Sequence, residues 1–326
     1  MGPIENEKYG TSFFDCLVGY FQRRTLHRTA WPSIIKAKPH TAFGANNYSM
    51  KRKEKPLYKV LSIAGSDTGG GAGVQADIKT ITSLGGYATT VITALTAQNT
   101  LGVQSIFEIP TSFVGQQIDA IMTDIGTDAV KTGMLLNKDI VDVVSLKIKE
   151  YNIKHVIVDP VMISKNEKCL LSADAVNALT SQLFPLSFLV TPNIPEAEHL
   201  SGLKIKTISK AEESAKCIHQ LGPQNVLIKG GHAGKSWDVK NEGKVIDVLY
   251  DGKSFEYIEG EYIPTKNTHG TGCTYASAIA TYLAKGFGLK EAVIQAKEFV
   301  TASIRKSFNP GKGYGTLDQF GAIQFP

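Results

Sequence analysis

The stretch Asn267-Thr268-His269-Gly270-Thr271-Gly272-Cys273-Thr274-Tyr275-Ala276-Ser277-Ala278-Ile279-Ala280-Thr281-Tyr282-Leu283 joins a run of small residues to an apolar helical pattern. Small residues just before a helix let backbone N–H groups converge on an anion, and the helix dipole adds about half a positive charge there. The reading is a phosphate site. Cys273 would sit in the first helical turn, where a thiol's pKa falls and the thiolate becomes available as a base or nucleophile. A tight turn before a packed helix has the same composition, so the rest of the chain has to decide.

Working outward from that helix, apolar strand-like runs alternate with helical periodicity from Leu57 onward. Strands are expected at Tyr58 to Ala64, Thr89 to Leu95, Ala129 to Lys131, His155 to Asp159, Phe188 to Thr191 and Val226 to Lys229. Helices are expected between them at Val74 to Leu84, Ser112 to Thr123, Lys138 to Glu150, Ala173 to Leu183 and Lys210 to Leu221. Such alternation implies right-handed βαβ crossovers and an α/β fold with a mostly parallel sheet covered on both faces. Val245 to Tyr250 and Phe255 to Glu259 meet at Asp251-Gly252, a hairpin signal, and a last helix runs from Leu289 to Ser307.

The chain has 326 residues, 42% hydrophobic, and no apolar run of membrane-spanning length. Cysteines at 16, 169, 217 and 273 form no C-x-x-C pair and no metal-ligand spacing, which points to a reduced compartment. The net charge of +5 is concentrated at one end, because residues 1–55 hold ten Lys and Arg against four acidic residues. The remainder is close to neutral and gives no support for nucleic-acid binding. Residues 1–55 are therefore expected to be a basic extension, either a transit peptide or a dispensable segment before a second credible start at Met50, with the folded domain at 56–326. The expected location is the cytoplasm, or an organelle if residues 1–49 act as a transit peptide.

Three nucleotide motifs come close and fail. Gly71-Ala72-Gly73-Val74-Gln75-Ala76 lacks the acidic residue about 20 positions on that holds a ribose, and Gly230 to Ser236 is one residue short of a P-loop. No G-x-S-x-G or H-E-x-x-H is present. What remains is a set of polar residues at the carboxyl ends of the expected strands, where ligands bind in open α/β sheets. Gly65-Ser66-Asp67 precedes a glycine-rich turn that lets backbone approach a ligand, and Asp77 would fall in the first turn of the next helix, where it could simply stabilise the dipole. Gln98-Asn99 follow the apolar strand Val91 to Leu95, and Asp159-Pro160 ends another. Asn193 and Glu196 have the spacing of a cap or of a water-mediated Mg²⁺ contact, and Lys229 precedes two glycines. Gly311-Lys312-Gly313 offers a second glycine-flanked cation.

Taken together these residues resemble the ribokinase-like superfamily, and within it the hydroxymethylpyrimidine/phosphomethylpyrimidine kinases of thiamin synthesis. The matching stretches, over about residues 57 to 318, are LSIAGSDTGGGAGVQADIKT, VITALTAQNTLGV, DAVKTGML, VIVDPVM, TPNIPEAEHL, VLIKGGH, TKNTHGTGCTYASAIA and GKGYG. Ribokinases carry Asp at the position of Cys273, whereas the pyrimidine kinases carry Cys. The resemblance implies a three-layer α/β/α sandwich, ATP and Mg²⁺, a homodimer, and two successive phosphorylations of 4-amino-5-hydroxymethyl-2-methylpyrimidine. It implies a pyrimidine site of Gly65, Asp77, Thr96, Gln98 and Met134. The phosphate and metal site would comprise Asp159, Asn193, Glu196, Lys229, Gly270, Thr271, Gly272, Cys273 and Lys312, with Asp159 and Glu196 toward the metal. The amide of Gln98 can meet an amino group and its neighbouring ring nitrogen with one oxygen and one NH₂. Cys273 would take the proton from the alcohol. The alternatives are a pyridoxine or pyridoxal kinase that kept the Cys, and a non-catalytic pyrimidine or nucleotide sensor.

Overall fold

A computed structural model describes residues 57–162, 171–232 and 243–323. Strands β1 (Lys59–Asp67), β2 (Tyr87–Asn99), β3 (Gly102–Glu108), β4 (Ala129–Thr132), β5 (Val156–Val158), β6 (Leu189–Val190), β7 (Val226–Ile228), β8 (Lys244–Tyr250) and β9 (Phe255–Glu261) build one sheet. Its order is β3-β2-β1-β4-β5-β6-β7-β8-β9. The six strands from β2 to β7 in that order run parallel, while β3, at one edge, and β8 and β9, at the other, pair antiparallel.

Alternation along each strand sends side chains to two cores. On β1, Leu61 and Ile63 join the core beneath α2 (Thr111–Met122), α3 (Lys138–Glu150), α4 (Ala173–Ala178), α5 (Ile194–Ser201) and α6 (Ile208–His219). Val60 joins the other, beneath α1 (Gly73–Ser83), α7 (Thr271–Ala284) and α8 (Leu289–Arg305). The result is the expected α/β/α sandwich. In β5 all three residues are fully buried, and each large apolar side chain so buried is worth roughly 1.5–3 kcal/mol, so burial compensates for a short ladder. Helix α7 is buried along most of its length, and its small residues Ala276, Ser277, Ala278 and Ala280 let it lie against β1, β4 and β5.

Three elements differ from the sequence reading. β2 runs on to Asn99 and turns into β3, so Gln98 lies within a strand and not beyond one. The segment after Thr191, with Pro192 and Pro195, for which no helix is expected, opens helix α5, which ends at Gly202 with φ 72°. The helix expected through Leu183 is α-helical only to Ala178, then widens through a π turn at Leu179–Leu183 and tightens into a 3₁₀ turn at Phe184–Leu186. The extension at 1–55, the second half of the P-loop-like run, Cys16 and Cys169 lie outside the described residues.

Candidate active site

Helix α7 starts at the carboxyl edge of the parallel strands. Its cap, Gly270, has φ 84°, and a Cβ there would lie 1.9 Å from the Gly71 carbonyl oxygen, so only glycine fits. Thr271 opens the helix, its hydroxyl donating to the Thr268 carbonyl, and Cys273 is its third residue. A Cβ on Gly272 would lie 3.2 Å from Asp159 Oδ2 and 3.4 Å from Lys229 Nζ, so the first turn of α7 faces the ends of β5 and β7. Lys229 Nζ donates to Asp159 Oδ1 at 2.7 Å. Burial pulls the Lys229 pKa down, but Asp159 and Glu196 outweigh it and hold the lysine charged.

Beneath this turn lies a closed polar cluster. Asp77, fully buried, takes Lys131 Nζ at 2.9 Å on both oxygens, Ser62 Oγ at 2.5 Å and Ser277 Oγ at 2.7 Å. It ties α1, β1, β4 and α7 together. Asp77 is the fifth residue of α1, not part of its first turn, so the dipole reading does not apply. Cys273 also departs from expectation. Although the residue keeps some exposure, burial pushes its thiol up to about 11; Lys131 pulls the other way, while Asp77 and Asp159 push further up. Desolvation and two carboxylates outweigh the helix terminus, and the resting group is a neutral thiol.

Asn193 and Glu196 form a reciprocal capping box on α5: Glu196 N–H donates to Asn193 Oδ1 at 3.0 Å, and Asn193 N–H to Glu196 Oε2 at 2.9 Å. Glu196 Oε1 accepts from Met162 N–H at 3.2 Å. Between Asp159 and Met162, Val161 takes φ 43°, a costly conformation for a β-branched residue, and this turn aims the Met162 N–H at the carboxylate. Burial raises the Glu196 pKa to about 6 against the pull of Lys229. Among the described residues no group of three or more His, Cys, Asp or Glu is placed to hold a metal on its own. Mg²⁺ usually takes one or two carboxylates and completes its shell with water and phosphate. Asp159 fits such a role, its Oδ2 turned toward the gap left by Gly272. Glu196, with both oxygens engaged by backbone N–H groups, fits only an outer contact.

At the other end of the site, Thr96 Oγ1 donates to the Ser66 carbonyl at 2.9 Å and lies 3.2 Å from Gln98 Oε1. Gln98 Nε2 is 3.2 Å from His269 Nε2, which is 2.8 Å from Asp67 Oδ2. Gly65 adjoins Met134: a Cβ on Gly65 would meet Met134 Cε at 2.5 Å. The glycine-rich turn after β1 spends its N–H groups on the protein, those of Gly69, Gly71 and Ala72 going to the Asp67 carboxylate. Lys312 is exposed on a loop whose Tyr314 N–H donates to the Thr100 carbonyl and whose Gly315 carbonyl accepts from His269 N–H. That loop spans the β2–β3 turn and the approach to α7.

The sequence reading placed Asp67 at a strand end without giving it a role, and missed His269 and Lys131 as parts of the site. Lys131 carried one signal, a charged residue inside a strand buried on both faces, where lysine is almost never found unpaired. A cavity of about 450 Å³ bounded by Phe188, Asn225, Leu249 and Lys290 opens at the opposite edge of the sheet and contains none of these residues.

A glycine-opened helix start facing a Lys–Asp pair, at the carboxyl edge of a six-stranded parallel core, defines a ribokinase-like kinase. The chain belongs to the phosphomethylpyrimidine kinase family, whose model matches residues 67–318. It is 46% identical over 90% of its length to the thiamine biosynthesis bifunctional protein of Geobacter sulfurreducens, of which it spans 59%. It is 44% identical to the hydroxymethylpyrimidine/phosphomethylpyrimidine kinase of Bacillus subtilis, covering 81% of this chain and 95% of that one. In structure it resembles the ADP complex of Bacillus subtilis pyridoxal kinase, with 42% identity, a TM-score of 0.73, and coverage of 81% of this chain and 98% of that one. Among the described residues no helix is long and apolar enough to cross a membrane.

Proposed function

We propose that the chain transfers the γ-phosphoryl group of ATP first to the alcohol of 4-amino-5-hydroxymethyl-2-methylpyrimidine and then to the resulting monophosphate, giving the diphosphate. The observation that carries this is the convergence, at one sheet edge, of an open anion-binding helix start bearing Cys273 with a strand-borne amide, Gln98, suited to an aminopyrimidine. Gln98 orients the ring, with Thr96, Gly65 and Met134 around it. Asp77 supports the floor through Lys131. The N–H groups at 270–273 and Lys229 stabilise the charge on the transferring phosphoryl group, and Lys312 lies on a loop able to add to it. Asp159, with Glu196 beyond it, would hold Mg²⁺, which would neutralise phosphate charge. Cys273 Sγ receives the alcohol proton. With its pKa at about 11, only about one thiol in 10⁴ is ionised at pH 7, so this step leans on the cations of Lys131 and Lys229.

A coupled ADP-release assay with the pyrimidine, its monophosphate and pyridoxal side by side tests the reading. Turnover of both pyrimidines above pyridoxal is expected, and pyridoxal alone as substrate would replace it. The second reading, a pyridoxal kinase, is favoured by the similarity to the Bacillus subtilis enzyme of that activity. The family region begins only after the basic segment has ended, which supports a kinase domain at 56–326 acting in the cytoplasm, or in an organelle if residues 1–49 direct it there. A chain starting at Met50 should keep its melting temperature and turnover. A homodimer is supported by the β2–β3 edge, where Leu95, Leu101, Val103, Ile106 and Phe107 are exposed; light scattering checks it.

A further inference from the structure

Asp67 and His269 stand 202 positions apart in sequence yet meet in the site, Asp67 Oδ2 lying 2.8 Å from His269 Nε2. Burial pushes the Asp67 carboxyl up, but the His269 hydrogen bond and charge, with the N–H groups of Ala72 and Gly69, outweigh it and hold the group below the usual carboxylate range. Asp67 is therefore an anion with no proton to give. Since it lies 2.8 Å from His269 Nε2, that nitrogen carries the proton, whether the ring is neutral or charged. The other ends of the network are equally constrained. Thr96 Oγ1 gives its single proton to the Ser66 carbonyl, leaving lone pairs for Gln98.

An amide's two ends are exchanged by a half-turn about its last torsion, so its partners decide which end faces which. With Gln98 Nε2 toward His269, two donors meet at 3.2 Å. A half-turn sets the Gln98 oxygen beside the His269 N–H, which it then shares with Asp67 in a three-centre bond, and its NH₂ against the Thr96 lone pairs, so that no two donors face each other. Each end of the amide then keeps one free valence for a ligand: a lone pair on oxygen and an N–H on nitrogen.

We propose that His269 is a specificity-determining positioning residue, whose Nε2–H, fixed by Asp67, sets the polarity of the Gln98 amide so that it reads a ring edge with an amino group beside an unprotonated ring nitrogen. The proposal rests on the reading of Gln98 as the pyrimidine contact. A 4-pyrimidinone carries the same alcohol but presents a carbonyl beside a ring N–H, the reverse order, and matches only the reversed amide. Reversal leaves a buried donor unmatched, a loss that corresponds to about 10- to 100-fold in binding.

The test compares kcat/KM for the 4-amino substrate and its 4-oxo analogue in wild type, His269→Phe, His269→Gln and Gln98→Leu, with circular dichroism as a check on folding. His269→Phe keeps a ring beside Gly71 without the N–H and should lower the amino-over-oxo ratio about 10- to 100-fold. His269→Gln should restore it, because Asp67 draws the new NH₂ toward itself and leaves its second N–H for Gln98. If His269→Phe does not fold, His269→Leu takes its place. Equal losses for both substrates in His269→Phe, while Gln98→Leu collapses the ratio, would overturn the proposal and leave the Gln98 contact standing. An unchanged ratio in Gln98→Leu would overturn the Gln98 reading itself, and the proposal with it.

Discussion

Replacing Lys131 with Met keeps the volume of the side chain and deletes its charge. Asp77 then stays fully buried with only the hydroxyls of Ser62 and Ser277 as donors. Breaking a buried pair from one side typically costs about 3–5 kcal/mol, because an unpaired charge is left in low dielectric. A stranded carboxylate can escape by taking up a proton. For an ordinary aspartic acid with a pKa of about 3.9, that escape costs about 4 kcal/mol at pH 7 and about 1.5 kcal/mol at pH 5, at about 1.4 kcal/mol per pH unit. The deficit of Lys131→Met should therefore be about 3–4 kcal/mol at pH 7 and shrink toward about 1.5 kcal/mol at pH 5. Urea unfolding followed by circular dichroism at both pH values reads it directly. Lys131→Met with Asp77→Asn should recover most of the loss, since the amide removes the charge, its oxygen still accepts from one hydroxyl and its NH₂ can donate to the other. A deficit below about 1 kcal/mol at pH 7, or one independent of pH, would refute the reasoning.

Cys273→Ala should slow phosphorylation of the alcohol by about 10²–10⁴ while sparing that of the monophosphate, whose nucleophile is already largely dianionic above a pKa of about 6; equal losses would point to geometry in place of proton transfer. The raised thiol pKa adds a sign: the alcohol step in wild type should speed up nearly tenfold per unit from pH 7 to 9, because the basic form lies on the high-pH side, and the monophosphate step should lack that slope. Gly272→Ala places a methyl 3.2 Å from Asp159 Oδ2 in an otherwise tolerant helical turn, so kcat/KM for ATP should fall about 10²-fold with the melting temperature held or raised; a lowered melting temperature with normal kinetics contradicts it. Glu196 has its pKa raised to about 6, so its contribution is complete below about 4.5 and lost as pH rises through 6, a drop of about 2 kcal/mol. Glu196→Gln should lack that drop, and parallel unfolding curves for the two proteins across this window would exclude it.

The order of helices and strands was legible because each parallel strand is a short apolar run closed by turn residues and followed by a periodic helix. Such runs appear only where both faces are covered, as in Val156-Ile157-Val158. β3 escaped for the opposite reason: most of its side chains are exposed, so neither an apolar run nor an alternation marks it. Helix α5 is eight residues long and carries Pro195 in its first turn, which reads as a break until its neighbours are seen. Within the site, the start of α7 was readable because a glycine cap and a first-turn cysteine are adjacent in sequence. The Asp67–His269–Gln98 chain was not, since it joins three segments that meet only once β1, β2 and α7 have packed.

The same packing accounts for a cysteine at position 273. Around the first turn of α7, Asp77, Asp159 and Glu196 face Lys131 and Lys229, so the ionised groups already carry one excess negative charge before any phosphate arrives. A carboxylate at 273, as ribokinases carry, would be a base already formed, but it would add a second excess charge at the proposed γ-phosphate site. A thiol held neutral by burial adds none. It becomes basic only on giving up its proton, and the cations that favour this, Lys131 foremost, are the ones the buried carboxylates hold in place. In the proposed mechanism, phosphate binding and proton removal would draw on one set of charges, and the residue at 273 would decide which of them is favoured in the resting enzyme.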